Sequence, residues 1–280
     1  MPRRTQTPHG LAKFRGTLLL VGAGKMGGAM LDGWLTRGLK PRQIAIVEPQ
    51  PANAIKALAR RGVRLNPKGK IENASAVVIA VKPQTAPDAL PPIAPFAGKS
   101  TLVLSIMAGR TIAFLEKTFT ANAAIVRAMP NTPASIGRGI TVAVANGKAS
   151  ARHRKLATDL LSAIGKVEWT ADEALMDAVT AVSGSGPAYV FLLAECLAKA
   201  GIAAGLPAPL ATTLARETVA GSGELLRCSP LDAATLRQNV TSPGGTTAAA
   251  LEILMGPGGF EALLTQAVAA ATRRGRELAG

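Results

Sequence analysis

Between Thr17 and Trp169, short apolar runs alternate with stretches of helical period. "TLLLVGAG", "QIAIVEP", "ASAVVIAVKP", "STLVLSIMAG", "NAAIVRAMP" and "ITVAVANG" each predict a strand. Their Val, Ile and Leu runs are nearly continuous, the pattern of strands covered on both faces in a mostly parallel sheet. "MGGAMLDGWLTRG" predicts a helix ending at Gly38, and "ANAIKALARRG" one closed by Gly62. Strand and helix in alternation, joined by right-handed crossovers, give a doubly wound α/β domain.

Beyond Trp169 the strand pattern stops. "DEALMDAVTAV", "AYVFLLAECLAKAGIAAG", "APLATTLARETVAGSGELLRC", "LDAATLRQNV", "AAALEILMG" and "GFEALLTQAVAAATRRGREL" all carry helical spacing. Asp172 and Asp232 stand where N-caps stand, and Gly201 and Gly256 where helices stop. The expected organisation is a basic, disordered leader at 1–16, a dinucleotide-binding domain at 17–170 and an all-helical domain at 171–280. Several of the late helices are Ala-rich and apolar on more than one face, which implies burial against a second copy of the chain. Two interruptions share one chemistry: "TAVSGSGPAYVF" at 180–191 and "TSPGGTTAAALEIL" at 241–254.

Composition adds little to the fold and more to what can be excluded. The net charge of +15 is spread along the chain, and no basic run is interleaved with aromatics, so nucleic acid is not the expected partner. The charge does favour anionic ligands. No stretch approaches an uninterrupted apolar span of about 20 residues, so no membrane is expected and a cytoplasmic setting is. Cys196 and Cys228 have no metal-like spacing and read as free thiols. His9 and His153 lie in polar, basic surroundings, and neither a Ser-His-Asp set nor a metal-ligand set can be assembled.

The chemistry that remains is anion binding by backbone. Gly22-Ala23-Gly24-Lys25-Met26-Gly27 follows the first strand and opens the first helix, the setting that a phosphate-cradling turn requires. Gly22 serves the tight turn, Gly24 the approach of a pyrophosphate, and Gly27 the close packing of helix on strand. Glu48 ends the second strand, where a carboxylate accepts from a ribose 2′-OH and favours NADH. Lys56, Arg60 and Arg61 on the next helix offer charge to a 2′-phosphate, so the choice between NADH and NADPH stays open. Ala80-Val81-Lys82-Pro83 ends the third strand at the edge where ligands sit, and Asn131, in "RAMPNTP", is placed to meet a nicotinamide.

In order along the chain, "VGAGKMGGAM", "AVKPQ", "SIMAG", "RAMPNTP", "DAVTAVSGSGPAYVF" and "VTSPGGTT" resemble the pyrroline-5-carboxylate reductases. The last two carry most of the specificity. The resemblance implies an N-terminal Rossmann domain and a C-terminal helical domain that interlocks in a homodimer, in some members within a larger ring. It implies reduction of 1-pyrroline-5-carboxylate to L-proline with NADPH or NADH. It places Ile106, Met107 and Ala108 beside the cofactor. It gives the substrate carboxylate to Ser183, Gly184, Ser185 and Gly186 and to Gly244, Gly245, Thr246 and Thr247, with Thr247 facing the ring nitrogen. Each interruption is accordingly expected to be a helix N-terminus presenting backbone N–H groups. β-Hydroxyacid dehydrogenases share the two-domain plan but are similar to one another in a catalytic Lys one turn into the helix. Pro187-Ala188-Tyr189-Val190 has none.

Overall fold

A computed structural model describes residues 10–69, 71, 74–119 and 122–279. His9 and the Arg3–Arg4 pair of the expected leader lie outside the described residues. Leader residues 10–16 are not loose: Leu11 is buried and Phe14 packs against the core. The chain forms two compact units, Met1–Gly184 with Thr272–Gly280, and Ser185–Ala271.

The first unit is built on an eight-stranded sheet ordered β3-β2-β1-β4-β5-β6-β7-β8. Its strands are β1 (Thr17–Val21), β2 (Ile44–Val47), β3 (Arg64–Leu65), β4 (Ala74–Ile79), β5 (Leu102–Ser105), β6 (Ala124–Met129), β7 (Gly139–Ala145) and β8 (Gly165–Trp169). All neighbouring pairs are parallel except β6–β7, so β7 and β8 run against the rest. The six expected strands are present. β3 and β8 were not expected, because one has two residues and the other, "GKVEW", alternates with charge instead of running apolar.

Successive side chains of a strand point to opposite faces, and the burial follows that period of two. Leu18, Leu20, Ile44, Ile46 and Val78 face one cluster with Trp34 and Leu160, while Leu19, Val21, Val77 and Ile79 face another with Leu90 and Leu115. The helices that cover these faces are α1 (Lys25–Thr36), α2 (Asn53–Ala59), α3 (Ala86–Ala89), α4 (Ile112–Thr118), α5 (Ala151–Leu161) and α6 (Met176–Val179). Trp34 fixes α1 against α5 by donating its indole N–H to Leu160 O at 2.9 Å.

The second unit holds α7 (Gly186–Ala203), α8 (Ala208–Cys228), α9 (Ala233–Asn239), α10 (Thr246–Leu254) and most of α11 (Phe260–Ala279), whose last turns belong to the first unit. Asp232 caps α9 as expected, accepting from Thr235 N–H at 2.8 Å. Gly201 does not stop α7. A Cβ there would lie 3.3 Å from Ala211 Cβ, so this glycine lets α7 and α8 approach, and the reversal comes at Gly205 with φ +99°. Large apolar side chains stand exposed along these helices, Phe191, Leu192, Ile253 and Leu263 among them. The helical run Glu173–Ala203 is long and apolar enough to cross a membrane by length and composition alone, but Asp177, Glu195 and Lys199 interrupt it, so the sequence holds no unbroken apolar span.

Candidate active site

β1 delivers the chain into Gly22, whose φ of +90° only glycine adopts without strain. A Cβ there would lie 2.8 Å from Ala80 O, at the exit of β4. Gly27 is equally enclosed, since a Cβ would collide with Gly22 O and press on Ala80 Cβ. Around Gly24 there is nothing within 4 Å. The three glycines thus divide into two closed by packing and one with open space at its Cβ position. Gly24 is the N-cap of α1 without a side-chain hydrogen bond, and the first turn holds no acidic residue. The N–H groups of Lys25, Met26 and Gly27 therefore start the helix with no side chain competing for them.

Glu48 follows β2 and reaches the same turn, where Oε2 accepts from Ala23 N–H at 2.9 Å. Its other oxygen accepts from Gln50 N–H at 3.1 Å. Lys56, Arg60 and Arg61 are exposed on and just beyond α2.

The exits of β4, β5 and β6 lie at the carboxyl edge of the sheet. Ala80 and Val81 are half-buried, Lys82 is exposed, and Pro83 starts a 3₁₀ turn in which Thr85 binds back to Lys82 O. Arg110, which the sequence reading passed over, ties two of these exits together. Its Nε and Nη2 donate to Pro83 O at 3.1 and 3.0 Å while its guanidinium lies over the Phe114 ring. Only a side chain contacting a distant backbone carbonyl marks it, and no local pattern reveals that. Ile106 and Met107 are buried, with the Met107 side chain inside the apolar cluster, so that segment presents its backbone and half-exposed Ala108 at the sheet edge. Asn131 is half-buried; its Oδ1 accepts from Ile140 N–H at 3.0 Å, which leaves the amide NH₂ as its donor.

The first interruption is a helix start entered from another helical turn and not from a loop. Residues Thr180–Gly184 form a π-helical turn that leads on to α7, and Ser185 has helical backbone angles. Pro187 lies in the first turn of α7, where its missing N–H is not needed. Thr180 and Ser183 donate their hydroxyls back to Met176 O and Val179 O. Gly184 packs where a Cβ would sit 2.7 Å from Met129 Cε, so the turn lies against the end of β6.

The second interruption is a true helix start. Gly244 is left-handed at φ +67°, Gly245 is the extended N-cap of α10, and no side chain caps it. Gly245 N–H is used by Ser242 O, whereas Thr246 and Thr247 open the helix with a half-buried Thr247 side chain. This arrangement suits a small anion. His153 pairs with Ser150 at the exposed start of α5, as surface capping requires.

A family model described as pyrroline-5-carboxylate reductase dimerisation matches residues 173–278, and one described as NADP oxidoreductase, coenzyme F420-dependent, matches residues 17–109. In sequence the chain is 39% identical over 265 residues to a pyrroline-5-carboxylate reductase of Pseudomonas aeruginosa, covering 94% of this chain and 96% of that one. It is 38% identical to the one from Pisum sativum over 264 residues, with 94% and 96% covered. Among solved structures it superposes on a pyrroline-5-carboxylate reductase from Coxiella burnetii with a TM-score of 0.86 at 32% identity, covering 95% and 99% of the two chains. A Plasmodium falciparum pyrroline carboxylate reductase with NADP bound gives 0.79 at 30% identity, with the same coverage.

Proposed function

The chain belongs to the pyrroline-5-carboxylate reductase family, and from that premise we propose which of its residues carry the reaction. It is an NAD(P)H-dependent oxidoreductase that converts 1-pyrroline-5-carboxylate to L-proline. The cofactor is placed on Gly22 to Gly27 because the turn is built as a cradle: Gly22 and Gly27 are closed by backbone, and Gly24 alone is open. The N–H groups of Lys25, Met26 and Gly27 take the pyrophosphate, and Glu48 takes the adenosine ribose. Ala80 to Pro83, Ile106 to Ala108 and Asn131 border the remainder, with Arg110 holding the loop at Pro83 in place.

Bound reduced nicotinamide supplies a hydride to the imine carbon. The chain's own residues hold the substrate and serve its nitrogen. The carboxylate goes to the segment Gly244 to Thr247 at the start of α10, chiefly to the N–H groups of Thr246 and Thr247, and to the small segment Ser183 to Gly186. The Thr247 hydroxyl hydrogen-bonds the ring nitrogen. When the imine arrives protonated, addition at carbon leaves a neutral ring amine, so no strong acid is required of the protein. That fits a site furnished with hydroxyls and backbone and without His. Positioning is then the main contribution of the chain.

The dimerisation model over 173–278 supports oligomer formation through the helices of the second unit. We place a homodimer there, within a larger ring, and assign the enzyme to the cytoplasm. Following NADH and NADPH absorbance with pyrroline-5-carboxylate present tests the reaction directly. Oxidation that depends on substrate is expected with at least one cofactor, and none above background with either would overturn the reading.

A further inference from the structure

We propose that this chain binds NADH in preference to NADPH, and that Asn66 is the positioning residue that enforces the choice through Glu48. The inference rests on the placing of the dinucleotide on the glycine turn, and deepens it.

Glu48 is immobilised at every polar point. One side chain grips its peptide unit from both directions: Asn66 Oδ1 accepts Glu48 N–H at 2.8 Å, and Asn66 Nδ2 donates to Glu48 O at 2.9 Å. The carboxylate is held as well, by Ala23 N–H at 2.9 Å on one oxygen and Gln50 N–H at 3.1 Å on the other. Asn66 adopts φ +45°, the left-handed conformation, and among the described residues no other non-glycine has a positive φ. Asn tolerates this region better than most residues, yet holding it there costs free energy that the surroundings must supply. They do so through β3. That strand is two residues long, pairs with β2 at Ala45–Arg64 and Ile46–Leu65, and ends by directing Asn66 N–H onto Ile46 O at 2.7 Å. The brief strand and the strained residue have one evident product, a fixed Glu48.

A fixed carboxylate discriminates. Each oxygen keeps a lone pair after its N–H bond and can accept a ribose hydroxyl. A 2′-phosphate in the same place would set like charges together, and Glu48 could not swing aside without releasing two N–H groups. Pro49-Gln50-Pro51-Ala52 brings no cation to the loop, and its two prolines keep it stiff. The next cation along the chain is Lys56, exposed on α2, followed by the exposed Arg60 and Arg61; Lys25 at the start of α1 and Lys68 beyond Asn66 are exposed to solvent as well.

The test is equilibrium binding of NADH and NADPH to the full chain, read by nicotinamide fluorescence, with 5′-ADP and 2′,5′-ADP as competitors. NADH should bind roughly tenfold or more tightly than NADPH, the scale of one like-charge clash. Glu48→Gln should bring the two affinities together. Asn66→Gly keeps the left-handed backbone without strain while deleting the clamp, so it should fold normally and narrow the same ratio. Equal or tighter NADPH binding by the parent chain would overturn the proposal, as would a ratio unmoved by both substitutions. If pyrroline-5-carboxylate drives oxidation with NADPH favoured, only the selectivity falls. If neither dinucleotide binds, the cradle assignment falls and takes this inference with it.

Discussion

The Glu173 carboxylate meets the Arg127 guanidinium at 2.8 Å, joining the start of the helical run toward α7 to the middle of the sheet. The same oxygen accepts from Ile112 N–H, the first residue of α4, also at 2.8 Å. Three elements converge on one atom. The Arg127 side chain is 5% exposed and that of Glu173 30%, so the pair is desolvated mainly on the cationic side.

Removing Glu173 strands a buried guanidinium and frees a helix N–H at once. Glu173→Ala is expected to cost about 2 kcal/mol, less than for a fully buried pair because Glu173 retains contact with water. Arg127→Met should cost less, since the orphaned carboxylate still has Ile112 N–H and solvent. Urea unfolding of the two variants and their double mutant checks this, and equal costs would show that the bridge is not the governing contact.

Gly24 and Gly27 separate binding from folding. Gly24→Ala puts a methyl into the open space of the turn, so thermal stability should hold while NAD(P)H affinity falls at least roughly tenfold through lost approach. Gly27→Ala drives a methyl into Gly22 O, which is backbone and cannot yield. That variant should lose stability as well, by about 1–3 kcal/mol as overpacked sites do. Differential scanning fluorimetry with a cofactor titration distinguishes the two, and a Gly24→Ala chain that binds normally would show that the ligand does not approach there.

These glycines were legible because a phosphate turn imposes its demands on consecutive residues, and consecutive residues are what a sequence displays. Strand positions were legible for a similar reason: burial on both faces leaves long Val, Ile and Leu runs. Asn66 was not, since a positive φ at a non-glycine and a two-sided clamp on a residue eighteen positions earlier leave no local pattern. Arg110 at Pro83 O escaped in the same way. The π-turn at Thr180–Gly184 was misread for the opposite reason. Its sequence is strongly patterned, but Ser, Gly and Pro spell a break equally for a loop and for a widened helix.

The exposed apolar side chains of α7 set up a prediction about assembly. Phe191 is 68% and Leu192 56% exposed, in a segment covered by the dimerisation family model. Burying such a face is what holds an obligate dimer together. Phe191→Glu should shift the chain toward monomer in light scattering coupled to size exclusion, with helical content retained. An unchanged mass would place the interface on other helices.

Thr247 is the sharpest test of the chemistry. It opens α10 behind an extended glycine N-cap, and its hydroxyl takes no part in capping the helix. Valine has the same branched shape, so Thr247→Val should preserve the helix start and leave melting temperature and NAD(P)H affinity near those of the parent. What it deletes is one hydrogen bond at the substrate nitrogen. A net bond of that kind is worth about 1 kcal/mol, more when it strengthens as charge leaves the nitrogen, so turnover should fall roughly tenfold. If the bond forms chiefly in the transition state, kcat drops and KM stays nearly constant; if it only binds substrate, KM rises alone. Steady-state kinetics at saturating cofactor decides between these. Turnover and KM both unchanged would mean that the nitrogen is served by another group.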